Sequence, residues 1–195
     1  QIGDFSLEEV VKQAIQGGVT IVQLRVKNIT TKEFIQKAKS LKNLLDKKGI
    51  PLIINDRVDI AKAVNADGVH IGQNDIPYKT AREILGDNAI IGLSVENMTQ
   101  LRQAENFDLD YIALSPVFTT DTKPELKKEW GVEGVRKARE FSDHKLIGIG
   151  GINTENVSEI INAGADGVAV VSELCKADNP TKKSRELKQK VTQSD

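Results

Sequence analysis

The sequence predicts an α/β fold in which parallel strands alternate with crossover helices, and three observations carry that expectation. The hydrophobic pattern switches back and forth between short runs of β type and longer runs of helical period. Seven β-type runs can be counted, at 20–26, 51–55, 68–72, 89–95, 110–117, 145–150 and 167–172, with a helical run in every gap, as a parallel sheet with crossover connections requires. The element Ala-Asp-Gly-Val occurs twice, at 66–69 and 165–168, each time where a helix hands over to a strand, which suggests repeated βα units.

The elements follow in order. Ser6-Leu7-Glu8-Glu9 is a capping box, its hydroxyl and carboxylate each satisfying a free backbone N–H, and Leu7, Val10, Val11, Ala14 and Ile15 fall on one helical face before Gly17-Gly18 stops the run. In the first β-type run the alternation of side chains sends Gln23, Arg25 and Lys27 to one side and Val22, Leu24 and Val26 to the other. Thr30-Thr31-Lys32-Glu33 repeats the start signal ahead of Phe34, Ala38, Leu41 and Leu45, and Gly49-Ile50-Pro51 then turns the chain into the second run. Further on, Asn153-Thr154 opens a helix bearing Val157, Ile160 and Ile161, and Asn179-Pro180 places a cap and an N1 proline before the last helix.

Two architectures accommodate seven such units, an open doubly wound sheet and a (β/α)8 barrel lacking one strand. The barrel is expected. The chain opens almost directly with a helix, which places the first barrel strand upstream of Gln1, and 195 residues lie slightly below the ~200 at which that fold begins. Length and composition, 39% hydrophobic and 28% charged, suit a single domain over 1–195. Twenty-seven basic against 28 acidic residues give a net charge of -1, and with 4% aromatics there is neither a cationic field nor a stacking surface for nucleic acid. No apolar run approaches the ~20 residues of a spanning helix and no signal peptide opens the chain, so a cytoplasmic protein without a membrane partner is expected. The single Cys175 forms neither an intrachain disulfide nor a zinc site.

In either architecture ligands bind at the carboxyl ends of the strands. Arg25 and Lys27 suit a phosphate or pyrophosphate, through a planar fork and a point charge, or else simply face solvent at a strand end. The second run ends Ile54-Asn55-Asp56 and the third runs out through Gly72-Gln73-Asn74-Asp75, so two carboxylates arrive at neighbouring strand ends. A Mg²⁺ ion bridging them to a polyphosphate would neutralise both; the other reading is that each caps the helix that follows. Residues 115–124 form a long polar loop, either a lid with hydroxyls and a lysine or merely a connection. Gly148-Ile149-Gly150-Gly151 leaves a strand and opens a helix, and the next run closes on Val171-Ser172; backbone N–H groups there suit a phosphate, and tight helix–strand packing is the alternative. His70 within a strand and His144 in a loop receive no role, and no nucleophile motif is present.

Gln23-Leu24-Arg25-Val26-Lys27, Ile54-Asn55-Asp56, the run 68–75, Thr120-Asp121-Thr122-Lys123 and Gly150-Gly151-Ile152 stand in the order and spacing of the thiamine-phosphate synthase family, which the chain resembles from its first helix to Ser172 and beyond. The resemblance implies a (β/α)8 barrel, often a homodimer, that joins hydroxymethylpyrimidine pyrophosphate to thiazole phosphate with Mg²⁺. It implies that Asp56 and Asp75 hold Mg²⁺, that Arg25, Lys27, Asn55 and Lys123 hold the pyrophosphate with support from Ser94, and that Gln23 hydrogen-bonds the pyrimidine. Thr120, Thr122, Gly151, Val171 and Ser172 would position thiazole phosphate, and Arg25, Lys27 and Lys123 would be the charge-neutralising catalytic groups. The family's dissociative displacement needs no protein nucleophile. The sequence departs from the family pattern at Val26, usually acidic, at Ser115, commonly glycine, and at Thr119, commonly proline. A thiazole tautomerase relative uses a histidine where Pro116 stands here; a sugar-phosphate isomerase barrel would leave the acid pair unexplained; a non-catalytic phosphate-binding barrel is the third alternative.

Overall fold

The computed structural model describes residues 5–119 and 129–193. Its elements, in chain order, are α1 (Leu7–Gln16), β1 (Val22–Leu24), α2 (Thr31–Asp46), β2 (Leu52–Asn55), α3 (Val58–Val64), β3 (Gly68–Ile71), α4 (Tyr78–Leu85), β4 (Ile90–Val95), α5 (Met98–Ala104), β5 (Tyr111–Leu114), α6 (Gly131–Phe141), β6 (Leu146–Ile149), α7 (Val157–Asn162), β7 (Gly167–Ala169), α8 (Ser172–Cys175) and α9 (Pro180–Thr192). The strands form one parallel sheet in the order β1-β2-β3-β4-β5-β6-β7, so every expected strand is found and the fold class is the α/β class of the (β/α)8 barrels. Among the described residues no helix is long and apolar enough to cross a membrane.

The chain divides into two compact units, residues 20–94 and residues 1–19 with 95–195. In the first, β1 to β3 and the start of β4 bury Leu52, Ile53, Ile54, Val69, Ile71 and Ile91, and α2 and α3 cover them with Phe34, Leu41, Leu45, Val58 and Ile60. In the second, Ile112, Leu114 and Leu146 from β5 and β6 pack with Leu101, Val135, Val157 and Ile160 of α5, α6 and α7. There α1 lies on α9, and Thr181 Oγ1 donates to Gln13 O at 3.0 Å.

Both capping boxes form. Glu9 N donates to Ser6 Oγ and Ser6 N to Glu9 Oε2, and the same reciprocal pair joins Thr30 and Glu33. Asn179 caps α9, accepting from Lys182 N at 2.9 Å, with Pro180 in the first turn.

The two copies of Ala-Asp-Gly-Val have one physical purpose. Asp67 N donates to Leu52 O at 3.0 Å while Asp67 Oδ2 accepts from Leu52 N at 2.8 Å; Asp166 N donates to Leu146 O at 2.8 Å while Asp166 Oδ2 accepts from Leu146 N at 2.9 Å. Each aspartate thus clamps the first residue of the neighbouring strand by main chain and side chain together, fixing the register Ile53↔Gly68 in one unit and Ile147↔Gly167 in the other. Lys42 reaches Asp67 at 3.4 Å, and Arg139 and Lys145 reach Asp166 at 3.0 and 2.9 Å.

Three expected boundaries are corrected. The run 20–26 is a strand only over Val22–Leu24, so Arg25 and Lys27 stand in the loop beyond it, and the alternation read for them does not extend that far. In the loop between β1 and α2, Asn28 adopts a left-handed backbone, φ 59°. The run 167–172 stops as a strand at Ala169; Val171 has helical dihedrals and Ser172 begins α8. Asn153 does not cap α7: its Oδ1 accepts from Glu155 N and Asn156 N, which holds a turn there, and the helix starts at Val157.

Candidate active site

In the unit 20–94 the strand register gathers polar side chains onto one face. Gln23 pairs with Ile53, and Asn55 with His70, which pairs in turn with Gly92, two residues before Ser94. Side chains alternate along each strand, so Gln23, Asn55, His70 and Ser94 share a face while Leu24, Ile54, Val69, Ile71 and Leu93 occupy the other. Asn55, His70 and Ser94 are buried, a placement that costs free energy unless their polar atoms are bonded. His70 Nε2 and Ser94 Oγ lie 2.7 Å apart, and Gln73 Nε2 donates to Ser94 O at 2.6 Å. Arg25 is half-buried and Lys27 exposed just past the end of β1.

The two carboxylates leave β2 and β3 in different ways. Asp56 is exposed and sits in the left-handed region, φ 63°, with its N–H donating to His70 O at 2.8 Å. A non-glycine residue held there costs on the order of 1–2 kcal/mol, a conformation retained where surrounding bonds over-determine it. Asp75 folds back, its Oδ2 accepting from Gly72 N at 2.7 Å. Neither caps the following helix: Arg57 occupies that place for α3 and Pro77 for α4, both without a side-chain cap bond. The Arg57 guanidinium closes in a fork on Asp59, at 2.8 and 2.6 Å, and holds the Asp59 carboxyl below its usual range. Among the described residues no three or more His, Cys, Asp or Glu side chains cluster as a complete metal cage. Two hard carboxylates completed by phosphate oxygens and water are nevertheless the donor set Mg²⁺ commonly takes. A cavity of about 400 Å³ is lined by Asp56, Val58, Asp59, Lys62, Ile76 and Ile84, and of the strand-end residues named above only Asp56 lines it.

The other unit carries the glycine turn. Gly150 and Gly151 have φ 99° and 64°, and a Cβ on Gly151 would stand 2.7 Å from both Phe118 Cβ and Thr119 O. The turn is tied down on both sides: Phe118 N donates to Gly150 O at 3.1 Å, and Asn156 Nδ2 to Gly151 O at 3.0 Å, with Asn153 N donating to Asn156 Oδ1 at 2.9 Å. No side chain caps the start of α8, which begins at Ser172. Glu173 accepts from Thr154 N and from Lys183 Nζ, both at 3.3 Å, joining the turn to α8 and α9. Val171 is 52% exposed at this corner, unusual for valine.

Thr120, Thr122 and Lys123 lie outside the described residues. The stems on either side of them are bonded together: Trp130 N donates to Pro116 O and Gly131 N to Val117 O, each at 2.9 Å, and Trp130 Nε1 donates to Val95 O at 3.1 Å. The structure therefore brings together Gln23, Asn55 and Ser94 on one face of the unit 20–94, with Asp56 and Asp75 leaving adjacent strands, and Gly151, Val171 and Ser172 on two successive strand ends of the other unit. His70, Gln73, Trp130 and Glu173 brace these positions; the sequence reading assigned no role to His70 and did not single out the other three. For His70 a signal existed: it stands one period of two ahead of Gly72, as Asn55 stands at the end of its own strand.

A family model described as Thiamine monophosphate synthase matches residues 2–174. The chain is 47% identical over 182 residues, 93% of its length and 89% of the relative's, to the thiamine-phosphate synthase of Vibrio parahaemolyticus. It is 50% identical over 178 residues to that of Leptospira biflexa, covering 89% of this chain and 85% of the relative. Among solved structures it superposes on a thiamine phosphate pyrophosphorylase from Pyrococcus furiosus with a TM-score of 0.89 at 37% identity, covering 97% of this chain and 91% of that one.

Proposed function

This chain belongs to the thiamine monophosphate synthase family and is a transferase, and from that premise we propose that it condenses hydroxymethylpyrimidine pyrophosphate with thiazole phosphate, yielding thiamine phosphate and pyrophosphate. The observation that supports the reading is two polar arrangements of different chemistry: acids and cations at the strand ends of the unit 20–94, and a glycine turn with an uncapped helix start in the other. Two phosphorylated substrates, one a diphosphate, match them. Residues 1–195 act in this reading as one catalytic domain.

Each residue then has a defined task. Arg25, Lys27 and Lys123 neutralise the charge that builds on the leaving pyrophosphate, Asn55 and Ser94 donate to its oxygens, and Gln23 orients the pyrimidine through its amide. Asp56 and Asp75 would hold Mg²⁺, which when bound spreads the diphosphate charge onto a divalent centre. The bond from the pyrimidine methylene carbon to the diphosphate oxygen breaks with its electron pair leaving on the pyrophosphate; the lone pair of the thiazole nitrogen then forms the new C–N bond. The electron-rich aminopyrimidine carries the transient positive charge, so no protein nucleophile is needed. Gly151, Val171 and Ser172 hold the thiazole phosphate through main-chain amides and a hydroxyl, and Thr120 and Thr122 complete that side.

The test is direct. Pyrophosphate release is measured on mixing the protein with both substrates and Mg²⁺, and again with either substrate omitted. Release that requires both is expected; a protein that releases none, or releases it without thiazole phosphate, ends the proposal.

A further inference from the structure

We propose that His70 is a positioning residue that turns the Ser94 hydroxyl into an obligate donor toward the diphosphate, an inference that rests on the reading of Ser94 above. The hydroxyl owns one proton. Two arrangements satisfy the 2.7 Å contact between His70 Nε2 and Ser94 Oγ. With a bare Nε2, the serine spends its proton on the imidazole and presents only lone pairs outward, which repel a phosphate oxygen. With Nε2 protonated, the imidazole donates to Oγ and the serine proton is left to donate to the anion. Only the second arrangement assists a diphosphate, so the proposed role calls for the Nε2–H form.

Burial and two further contacts support this role. His70 and Ser94 are both buried, so water does not compete for the contact. Gln73 Nε2 donates to the Ser94 carbonyl at 2.6 Å, which anchors the main chain from which the hydroxyl projects. The His70 carbonyl accepts from Asp56 N at 2.8 Å, so the residue that sets the serine donor with its side chain also holds the carboxylate of the proposed ion site with its main chain. His70 touches no substrate in this scheme; it acts through Ser94 and Asp56.

The chain has two histidines, His70 and His144, so ¹⁵N-labelled imidazole spectra are simple to assign with a His144→Gln control. The wild-type protein is recorded with Mg²⁺ and inorganic pyrophosphate as probe. A proton on His70 Nε2 is expected, and a bare Nε2 overturns the proposal. In kinetics, His70→Leu should raise the KM for the pyrimidine diphosphate roughly 2–10-fold, the value of one hydrogen bond, with the KM for thiazole phosphate unchanged; His70→Gln, which can restore an Nε2–H donor, should recover most of it. Equal effects on both KM values, or no recovery by Gln, would count against positioning. The spectrum is read without turnover, so a protein that failed to make thiamine phosphate would still report the state of Nε2.

Discussion

Gly49 and Gly151 share a backbone φ of 64°, yet a Cβ at Gly49 would meet nothing within 4 Å, whereas at Gly151 it would stand 2.7 Å from Phe118 Cβ and 2.7 Å from Thr119 O. Exchanging each for alanine therefore separates two effects that usually travel together. Both variants suffer the left-handed strain of about 1–2 kcal/mol, offset in part by the ~0.4–1 kcal/mol that alanine gains by restricting the unfolded chain. Gly49→Ala should thus lose about 0–1.6 kcal/mol. Gly151→Ala adds a collision with a main-chain carbonyl, which cannot swing aside as a side-chain tip can, and overpacking of this kind costs about 1–3 kcal/mol more. The relief available is a shift of the Phe118–Thr119 segment or of the turn itself, and either displaces the amides proposed to hold thiazole phosphate. Urea unfolding gives the stabilities and steady-state kinetics the KM for each substrate. The expectation is a clearly lower midpoint for Gly151→Ala, with a raised KM for thiazole phosphate alone, and near wild-type kinetics for Gly49→Ala. Equal stabilities with equal KM values would show that close approach at Gly151 contributes nothing.

The remaining expectations concern charges. Asp166→Ala removes a charged acceptor from Leu146 N and from two cations, a loss of about 1–2 kcal/mol after discounting for its partial exposure, checked by thermal or urea denaturation. Partial burial pushes the Asp166 carboxyl up, but Leu146 N–H, Lys145 and Arg139 outweigh it and hold the group below its usual range. Because the folded pKa is the lower one, this stability is complete above the ordinary carboxylate range and is lost as pH falls through the folded value, so the gap between wild type and Asp166→Ala should close in acid. Asp56→Asn and Asp75→Asn should each depress Mg²⁺-dependent turnover severely with unchanged far-UV circular dichroism; an unaltered Mg²⁺ titration in both would remove them as ligands. Ser172→Ala should raise the KM for thiazole phosphate more than that for the pyrimidine diphosphate, and equal rises would argue against two separate anion sites.

How far the sequence could be read depends on whether the information is local. The capping residues Ser6, Thr30 and Asn179 act within three or four positions, and all three are where the pattern puts them. The seven strands were countable because apolar runs in a parallel sheet are nearly continuous. Their ends were not: β1 stops pairing at Leu24 although β2 continues to Asn55, which leaves Arg25 and Lys27 outside the strand with no local signal for it. Residue type at the strand ends was legible at Asp56 and Asp75; the left-handed turn of one and the fold-back of the other onto Gly72 were not. The His70–Ser94 contact spans 24 residues and requires the register of β3 against β4, which no local pattern carries. The repeated Ala-Asp-Gly-Val was visible, but its reason, an acceptor for an N–H across the sheet, became clear only with the strands paired.

Those paired aspartates stand where Leu52 and Leu146 enter the sheet, at the opposite tips of their strands from the polar residues proposed to meet substrate. Durability and chemistry therefore occupy different ends of the same ribbons. Substitutions that retune what is bound can accumulate at one end while the anchors at the other keep each strand in step with its neighbour.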